Sequence, residues 1–306
     1  MFYTQQSDLD QCATYLKELL PSWDIRQWEE GFDANWQADY ALVWNPPITF
    51  FEGQKNLKAV HNLGAGVDKL LNHPHFPKEV PLLKIRDAGM GDWILDYIRY
   101  GIIYFERSFD RYQKQQIQKE WIPFGVRTKS NCVIAVLGLG AIGQYVAQSL
   151  SKEGYAVKGW SRSLKDIDGV SSFSGEVGLK NCLENSDYLV NLLPSTNQTY
   201  QLITIDELSC LNEDAVVINA GRGDTMIEDD LLLALEKGHL KGCLLDVFAQ
   251  EPLAEDHPFW SMDNVIVTPH IAGPTPLEQA LMQVKENFEK LEQGLEVQFV
   301  DKALGY

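Results

Sequence analysis

Three segments late in the chain place an arginine, a glutamate and a histidine shortly after apolar runs typical of buried β-strands. Arg222 stands in NAGRG, Glu251 in DVFAQEP and His270 in TPHIAG. A planar guanidinium can hold a carboxylate and polarise a neighbouring ketone. A histidine can deliver a proton, and a nearby carboxylate can orient the imidazole and favour its charged form. Together the three side chains form a set able to reduce a 2-oxo acid.

Each of these residues also has an ordinary structural interpretation. An arginine in a glycine-rich turn can cap a helix, a glutamate before proline is often solvated, and a histidine after proline can satisfy a core hydrogen bond. The catalytic hypothesis therefore rests on the three residues together, in this order. Each is expected near the carboxyl end of a strand, where doubly wound sheets bind their ligands.

Short apolar runs alternate with helical patterns along almost the whole chain. Because such runs are typical of parallel sheets covered on both faces, the pattern predicts an α/β protein with two doubly wound parallel sheets. The predicted strands are 40–44, 59–63 and 82–85 in the first sheet, then 133–137, 156–160, 188–193, 215–220, 242–247 and 265–269 in the second.

The segment VIAVLGLGAIG predicts a dinucleotide site. Gly138, Gly140 and Gly143 stand in G-x-G-x-x-G register between an apolar strand and an amphipathic helix. In this arrangement the first glycine permits a tight turn, the second lets the backbone approach a pyrophosphate, and the third lets helix and strand pack closely. Glycines also mark ordinary turns, but the strand–loop–helix context favours a nucleotide.

The segment GWSRSLK, residues 159–165, follows the next predicted strand. A chain that binds NAD places an acid near this point, on the ribose 2′-hydroxyl. This chain has Ser161, Arg162 and Ser163 there instead. Two hydroxyls and a guanidinium can hold a 2′-phosphate, which an acid would repel. We therefore predict that NADPH is preferred over NADH; the alternative is a polar surface turn.

Two long helical stretches, roughly 92–119 and 277–293, interrupt the alternation of strands and helices. Each lies beside the second series of strands, as a helix that crosses between two domains would. We predict a discontinuous substrate (catalytic) domain of residues 1–95 and 275–306. Residues 96–274 would form the dinucleotide-binding domain.

The composition limits the possible partners. The 306 residues carry a formal net charge of −17, which argues against a nucleic acid or an anionic membrane surface. The five cysteines are scattered, with no C-x-x-C pair, and no basic-then-apolar signal opens the chain. These features predict a cytoplasmic protein with reduced thiols. His73 and His75 lack a third ligand in the sequence nearby, and we predict no metal.

Five segments, LGLGAIG, LLPSTNQT, NAGRGD, LKGCLLDVFAQEPL and VTPHIAG, resemble the D-2-hydroxyacid dehydrogenases. Four more, WSRS, NLGAGVDKLL, RSFDRYQKQQ and the terminal GY, resemble a subgroup of that family, the NADPH-dependent glyoxylate/hydroxypyruvate reductases of the A type. The resemblance implies a Rossmann coenzyme domain and a flavodoxin-like substrate domain joined by two crossover helices. It implies reduction of glyoxylate to glycolate and of hydroxypyruvate to D-glycerate.

The resemblance also implies individual roles. Arg222 would bind the substrate, Glu251 would assist the histidine, and His270 would be the acid and base. Backbone groups of Ala65 and Gly66 would hold the substrate carboxylate. The residues implied at the cofactor are Gly138, Gly140, Ala141, Ile142, Gly143, Ser161, Arg162, Ser163, Pro194, Ala220 and Asp246.

Two implications concern aromatic residues and assembly. Trp44 matches an aromatic near the substrate in the subgroup, although a core tryptophan at a strand end explains it equally well. The resemblance further implies a homodimer formed through the long helix and the following arm, about 99–128.

Two other functions stay open at this point. One is an NAD-dependent D-2-hydroxyacid dehydrogenase with a larger substrate, which cofactor preference would distinguish. The other is a dinucleotide-sensing binding protein, which turnover with glyoxylate would exclude. The joint presence of Arg222, Glu251 and His270 favours an enzyme. The sequence does not rank glyoxylate against hydroxypyruvate.

Overall fold

The computed structural model describes residues 1–4, 9–33 and 35–306. The chain divides into two compact units. Unit 1 comprises Met1–Gly89 with Thr275–Tyr306, and unit 2 comprises Met90–Pro274. Within the described residues, every helix is too short or too polar to cross a membrane.

The described residues form eleven β-strands, all paired in parallel. They are β1 (Phe2–Thr4), β2 (Tyr40–Trp44), β3 (Ala59–Asn62), β4 (Leu82–Lys84), β5 (Val133–Leu137), β6 (Ala156–Trp160), β7 (Val170–Phe173), β8 (Tyr188–Asn191), β9 (Ala215–Asn219), β10 (Leu240–Leu245) and β11 (Val265–Val267).

The described residues also form nine α-helices, with short 3₁₀ turns at 48–51, 129–131, 223–225 and 258–261. The α-helices are α1 (Leu9–Leu19), α2 (Asp68–Leu71), α3 (Met90–Glu106), α4 (Phe109–Gln118), α5 (Ala141–Lys152), α6 (Gly175–Leu183), α7 (Ile205–Leu208), α8 (Glu228–Glu236) and α9 (Leu277–Glu292).

The sheet of unit 1 has the order β1-β2-β3-β4. A parallel bridge between Phe2 and Gln27 extends it beyond β1. Because Gln27 follows β1 and precedes β2 in the chain, the full order is 2-1-3-4-5, that of flavodoxin-like folds. The sequence pattern missed β1 because three residues are too few to show a periodicity.

The sheet of unit 2 has the order β11-β10-β9-β8-β5-β6-β7. Counted from β5, this is the Rossmann order 3-2-1-4-5-6 with one further strand, and the order reverses between β5 and β8. The α/β prediction with two parallel sheets is therefore confirmed. Strand β7 was missed because Ser171 and Ser172 give it a polar pattern, and it lies at the edge of the sheet.

The helical stretch predicted over 92–119 is two helices, and a single helix there is wrong. Ser108 separates α3 from α4 and has a φ of 57°. A residue in this left-handed region cannot continue an α-helix. The apolar periodicity runs on through both helices, so the break leaves no mark in the hydrophobic pattern.

Helix α3 packs closely on the sheet of unit 2. A Cβ on Gly101 would lie 2.8 Å from Leu244 Cδ2 and 2.9 Å from Ile218 Cδ1. Glycine at this point therefore lets the helix approach β9 and β10, which fixes the side chains of α3 relative to those strands.

The five cysteines are free thiols, and all except Cys210 are buried. Burial raises the pKa of Cys12, Cys132 and Cys182 to about 12 in each case. The four buried thiols therefore belong to the interiors of the two units.

Candidate active site

The loop after β5 has the space that a dinucleotide needs. Gly138 has a φ of 99°, and a Cβ on Gly143 would lie 1.8 Å from the Gly138 carbonyl oxygen. A Cβ on Gly140 would meet nothing within 4 Å. Gly140 is also the N-cap of α5, whose first N–H groups can receive an anion. The loop is therefore tightly packed at Gly143 and has open space at Gly140, where a pyrophosphate can approach the backbone.

The segment 161–163 follows β6 at the same edge of the sheet. The Ser161 hydroxyl donates to the Ser163 carbonyl over 2.8 Å, which curls the segment into a compact turn. Arg162 and Ser163 are exposed, whereas Trp160 before them is tied down by a hydrogen bond from its indole to the Gly175 carbonyl. The turn presents a cation and hydroxyls and has no acid.

Two buried asparagines join the ends of β8 and β9. The Asn191 amide donates to Asn219 Oδ1 over 2.9 Å and to Thr225 Oγ1 over 2.8 Å. Thr225 Oγ1 in turn donates to the Arg222 carbonyl over 2.7 Å. The backbone of Arg222 is therefore held by a network that starts inside the sheet. Sequence reasoning missed this network, although an asparagine near the end of two neighbouring strands was a usable signal.

The turn that carries Arg222 packs against the loop after β10. A Cβ on Gly223 would lie 2.0 Å from the Phe248 carbonyl carbon. In that same loop the Phe248 N–H donates to Glu251 Oε1 over 3.3 Å. The turn after β9 and the loop after β10 are thus in direct contact. The half-buried Arg222 guanidinium donates from Nη1 to the Gly221 carbonyl over 2.7 Å.

His270 and Glu251 are hydrogen-bonded to each other across the ends of β10 and β11. Nδ1 of the imidazole lies 3.0 Å from Glu251 Oε2 and 3.2 Å from Oε1. The histidine side chain is 42% exposed and the glutamate 25%. Because Nδ1 donates to the carboxylate, Nε2 is the nitrogen left to face a substrate.

Asp246 is a buried residue whose carboxylate is hydrogen-bonded within the protein. It is 2% exposed, and its carboxylate accepts hydrogen bonds from the Thr268 hydroxyl and from the backbone N–H groups of Ile271 and Ala272. The residue therefore organises the turn on which His270 lies. Sequence reasoning identified Asp246 but not its partner Thr268.

In unit 1, the predicted carboxylate loop follows β3. The Asn62 amide donates to the carbonyls of Gly64 and Gly66 over 3.1 and 2.6 Å. In a trans peptide the N–H points opposite the carbonyl, so the Ala65 N–H points away from Asn62. The Trp44 ring covers this loop, because a Cβ on Gly64 would lie 1.9 Å from the ring. Trp44 therefore lies against Gly64, the residue before Ala65.

Residues 100–272 match the family described as D-isomer specific 2-hydroxyacid dehydrogenase, NAD binding domain. The match covers more than half of the chain. The chain belongs to the D-isomer-specific 2-hydroxyacid dehydrogenase family. This confirms the family predicted from the motifs, and with it the prediction of an NAD(P)-dependent oxidoreductase.

This 2-hydroxyacid dehydrogenase is 41% identical over 312 residues to glyoxylate/hydroxypyruvate reductase A of Yersinia enterocolitica, with 100% of this chain and 99% of that protein covered. Two solved structures are also similar. A D-isomer specific 2-hydroxyacid dehydrogenase from Xanthobacter autotrophicus Py2, in complex with NADPH and MES, has a TM-score of 0.94 at 35% identity, with coverage of 100% and 98%. An NADPH-dependent glyoxylate/hydroxypyruvate reductase from Sinorhizobium meliloti, in complex with NADP and sulfate, has a TM-score of 0.91 at 31% identity, with coverage of 97% and 96%.

Proposed function

We propose that this 2-hydroxyacid dehydrogenase reduces small 2-oxo acids, glyoxylate and hydroxypyruvate, with NADPH. The observation that carries the proposal is the pair of His270 and Glu251, whose Nδ1 and Oε2 atoms lie 3.0 Å apart. The pair lies at the carboxyl edge of the sheet that contains β5, the strand before the glycine loop. A protein that only senses a dinucleotide has no need of a proton donor at this edge. The names of the similar reductases and the cofactors bound in the two similar structures support the same function.

The roles of the side chains follow from their chemistry. NADPH, when bound, supplies the hydride that adds to the carbonyl carbon. Arg222 binds the carboxylate of the oxo acid and the ketone oxygen, and its positive charge stabilises the negative charge that develops on that oxygen. His270 donates the proton from Nε2 to the same oxygen. Glu251 holds Nδ1 and stabilises the imidazolium before the transfer.

The cofactor would be held by backbone and side chains at the ends of β5, β6, β8, β9 and β10. We assign the pyrophosphate to Gly138, Gly140 and Gly143 with Ala141 and Ile142 at the start of α5. We assign the 2′-phosphate to the turn of Ser161, Arg162 and Ser163. Pro194, Ala220 and Asp246 would line the nicotinamide end. The cradle at Gly140 and the cation at Arg162 support this assignment.

The substrate carboxylate would also receive backbone N–H groups of Ala65 and Gly66. The Ala65 N–H, which points away from Asn62, supports this role. Trp44 beside that loop would limit the length of the oxo acid. Replacing Trp44 with Ala should then raise kcat/KM for longer oxo acids relative to glyoxylate.

We further propose a cytoplasmic homodimer. Its interface would use α3, α4 and the following arm, where large apolar side chains are exposed, among them Ile117 at 83% and Trp121 at 97%. Exposed patches of this kind commonly mark protein–protein contacts. The five free thiols support a reducing compartment. Light scattering of the protein and of Trp121→Asp tests the interface: the variant should shift the mass toward the monomer.

A spectrophotometric screen of small 2-oxo acids with NADPH and with NADH tests the proposed activity. Glyoxylate and hydroxypyruvate should be reduced with NADPH, and phenylpyruvate should be a poor substrate. A preference for NADH and the larger acid would favour the NAD-dependent alternative. Binding of NADPH without turnover of any acid would favour a sensing protein.

A further inference from the structure

A relay of two hydrogen bonds connects helix α3 with the turn that carries His270. The Tyr97 hydroxyl lies 2.7 Å from Thr268 Oγ1, and Thr268 Oγ1 donates to Asp246 Oδ1 over 2.6 Å. A threonine hydroxyl has one hydrogen, and here the carboxylate receives it. Tyr97 must therefore be the donor to Thr268, so the relay runs in one direction, from phenol to hydroxyl to carboxylate.

Asp246, at the end of this relay, holds the His270 turn at several points. Its carboxylate accepts from the N–H groups of Ile271 and Ala272, each over 2.8 Å. Its carbonyl accepts from the His270 N–H over 2.9 Å. His270 has a φ of 56°, in the left-handed region that a non-glycine residue keeps only where its surroundings impose it. The orientation of Asp246 therefore decides where the imidazole lies.

We propose that Tyr97 is a positioning residue for the reaction: by fixing Thr268, and through it Asp246, it holds the His270 turn in place for proton transfer. This inference rests on the proposed role of His270. Tyr97 lies in the middle of α3, which the close approach at Gly101 fixes against the sheet. The relay thus ties the turn to a helix that packs closely on the sheet of unit 2.

The phenol remains a donor over the working pH range. Burial raises the pKa of Tyr97, and the Asp246 charge raises it further. Without this donor, the Thr268 hydroxyl has a freer choice of rotamer, and Asp246 Oδ1 loses its fixed partner. Because hydrogen bonds in such a chain strengthen one another, loss of the first bond weakens the second.

The test compares Tyr97→Phe with Tyr104→Phe. Both tyrosines lie on α3, but the Tyr104 hydroxyl bonds to Gln113 Oε1 over 2.8 Å, away from the relay. Loss of one hydrogen bond predicts that Tyr97→Phe lowers kcat by about three- to tenfold. The KM for NADPH and the melting temperature should stay close to those of Tyr104→Phe, since the glycine loop and the turn 161–163 are untouched.

Thr268 supplies the second variant. Thr268→Val cuts the relay at its middle, and Tyr97→Phe added to Thr268→Val should lower kcat no further. Thr268→Ser, which keeps the hydroxyl, should recover most of the kcat lost in Thr268→Val. Additive losses in the double variant would show that Tyr97 acts by some other route, and would overturn the proposal.

Hydrogen exchange tests, without any substrate, whether Tyr97 holds the His270 turn in place. The amides of Ile271 and Ala272 should exchange about three- to tenfold faster in Tyr97→Phe than in Tyr104→Phe. If the unmodified protein reduces no 2-oxo acid, the proposed function fails while this comparison still tests the relay. Equal exchange and equal kcat in the two variants would overturn the role of Tyr97 alone.

Discussion

The two units each contain a parallel sheet covered by helices, yet their histidines behave in opposite ways. In unit 1, His61 lies inside β3 and is fully buried; its Nε2 accepts from the Asn287 amide, so Nδ1 donates to the Asn62 carbonyl. Burial lowers the pKa of His61 to about 4, so the ring stays neutral. In unit 2, His270 lies beyond β11, partly exposed and paired with Glu251. His61 thus serves the packing of unit 1, whereas His270, beyond the end of its strand, is placed for the proton transfer proposed above.

The strongest test of this contrast is His270→Ala. Loss of a general acid should lower kcat by about 10²–10⁴-fold. The affinity for NADPH, measured by fluorescence titration, should stay within about twofold because the glycine loop is unchanged. His239→Gln is the control, since His239 also lies in unit 2 but faces the Leu208 carbonyl. A kcat for His270→Ala equal to that of the control would assign the acid role elsewhere.

Arg222→Lys should have the next largest effect. A point charge cannot reproduce the bidentate guanidinium, so kcat/KM for glyoxylate should fall by about 10²–10³-fold, with changes in both kcat and KM. Arg127→Lys is the matched control, because Arg127 pairs with Asp187 in the body of unit 2. If Arg222→Lys retains near-normal kcat/KM, the arginine does not contact the substrate.

His61 predicts the pH dependence of stability in unit 1. The unfolded chain takes up a proton on this residue below its ordinary pKa of 6.5, whereas the folded chain does so only near the lowered pKa of about 4. The stabilisation is therefore complete above pH 6.5 and is lost as the pH falls, by about 3 kcal/mol at pH 4. Urea unfolding of His61→Gln should show a flatter pH dependence than the parent. Equal slopes for the variant and the parent would contradict the prediction.

The turn 161–163 predicts cofactor preference. A hydrogen bond to a charged group contributes about 1.5–3 kcal/mol, so Arg162→Ala should weaken NADPH by about ten- to a hundredfold and leave NADH nearly unchanged. Ser161→Asp should reduce the preference further, because an acid repels the 2′-phosphate and accepts from the ribose hydroxyl of NADH. Equal weakening of both cofactors by Arg162→Ala would identify the segment as a surface turn.

Glu251→Gln should have the smallest effect of the series. In the proposed mechanism the carboxylate stabilises the imidazolium that donates the proton. Without its negative charge, kcat for glyoxylate should fall by about three- to tenfold. A kcat equal to that of the parent would show that the pair orients the ring without stabilising its charge.

Repeated local patterns in the sequence were enough to predict the two sheets and the glycine loop. Features that depend on one backbone angle or on one tertiary contact were missed. Apolar runs and the G-x-G-x-x-G register are visible within a few residues, so the parallel sheets and the position of the glycine loop followed from them. Ser108 breaks a helix by its backbone angle alone, which no periodicity records. The contact between Tyr97 and Thr268 joins residues 171 positions apart, and only the packing of α3 on the sheet of unit 2 brings them together.

The buried thiols resemble His61, because burial shifts their pKa values away from the ordinary ones. A cysteine reacts as its thiolate, so the raised pKa values of the buried thiols make alkylation and oxidation slow while the units stay closed. Modification of Cys12 then reports the opening of unit 1, and that of Cys243, inside β10, the opening of unit 2. The chain thus carries a buried reporter thiol in each unit, and mass spectrometry of the alkylated peptides can measure how often each unit opens under native conditions.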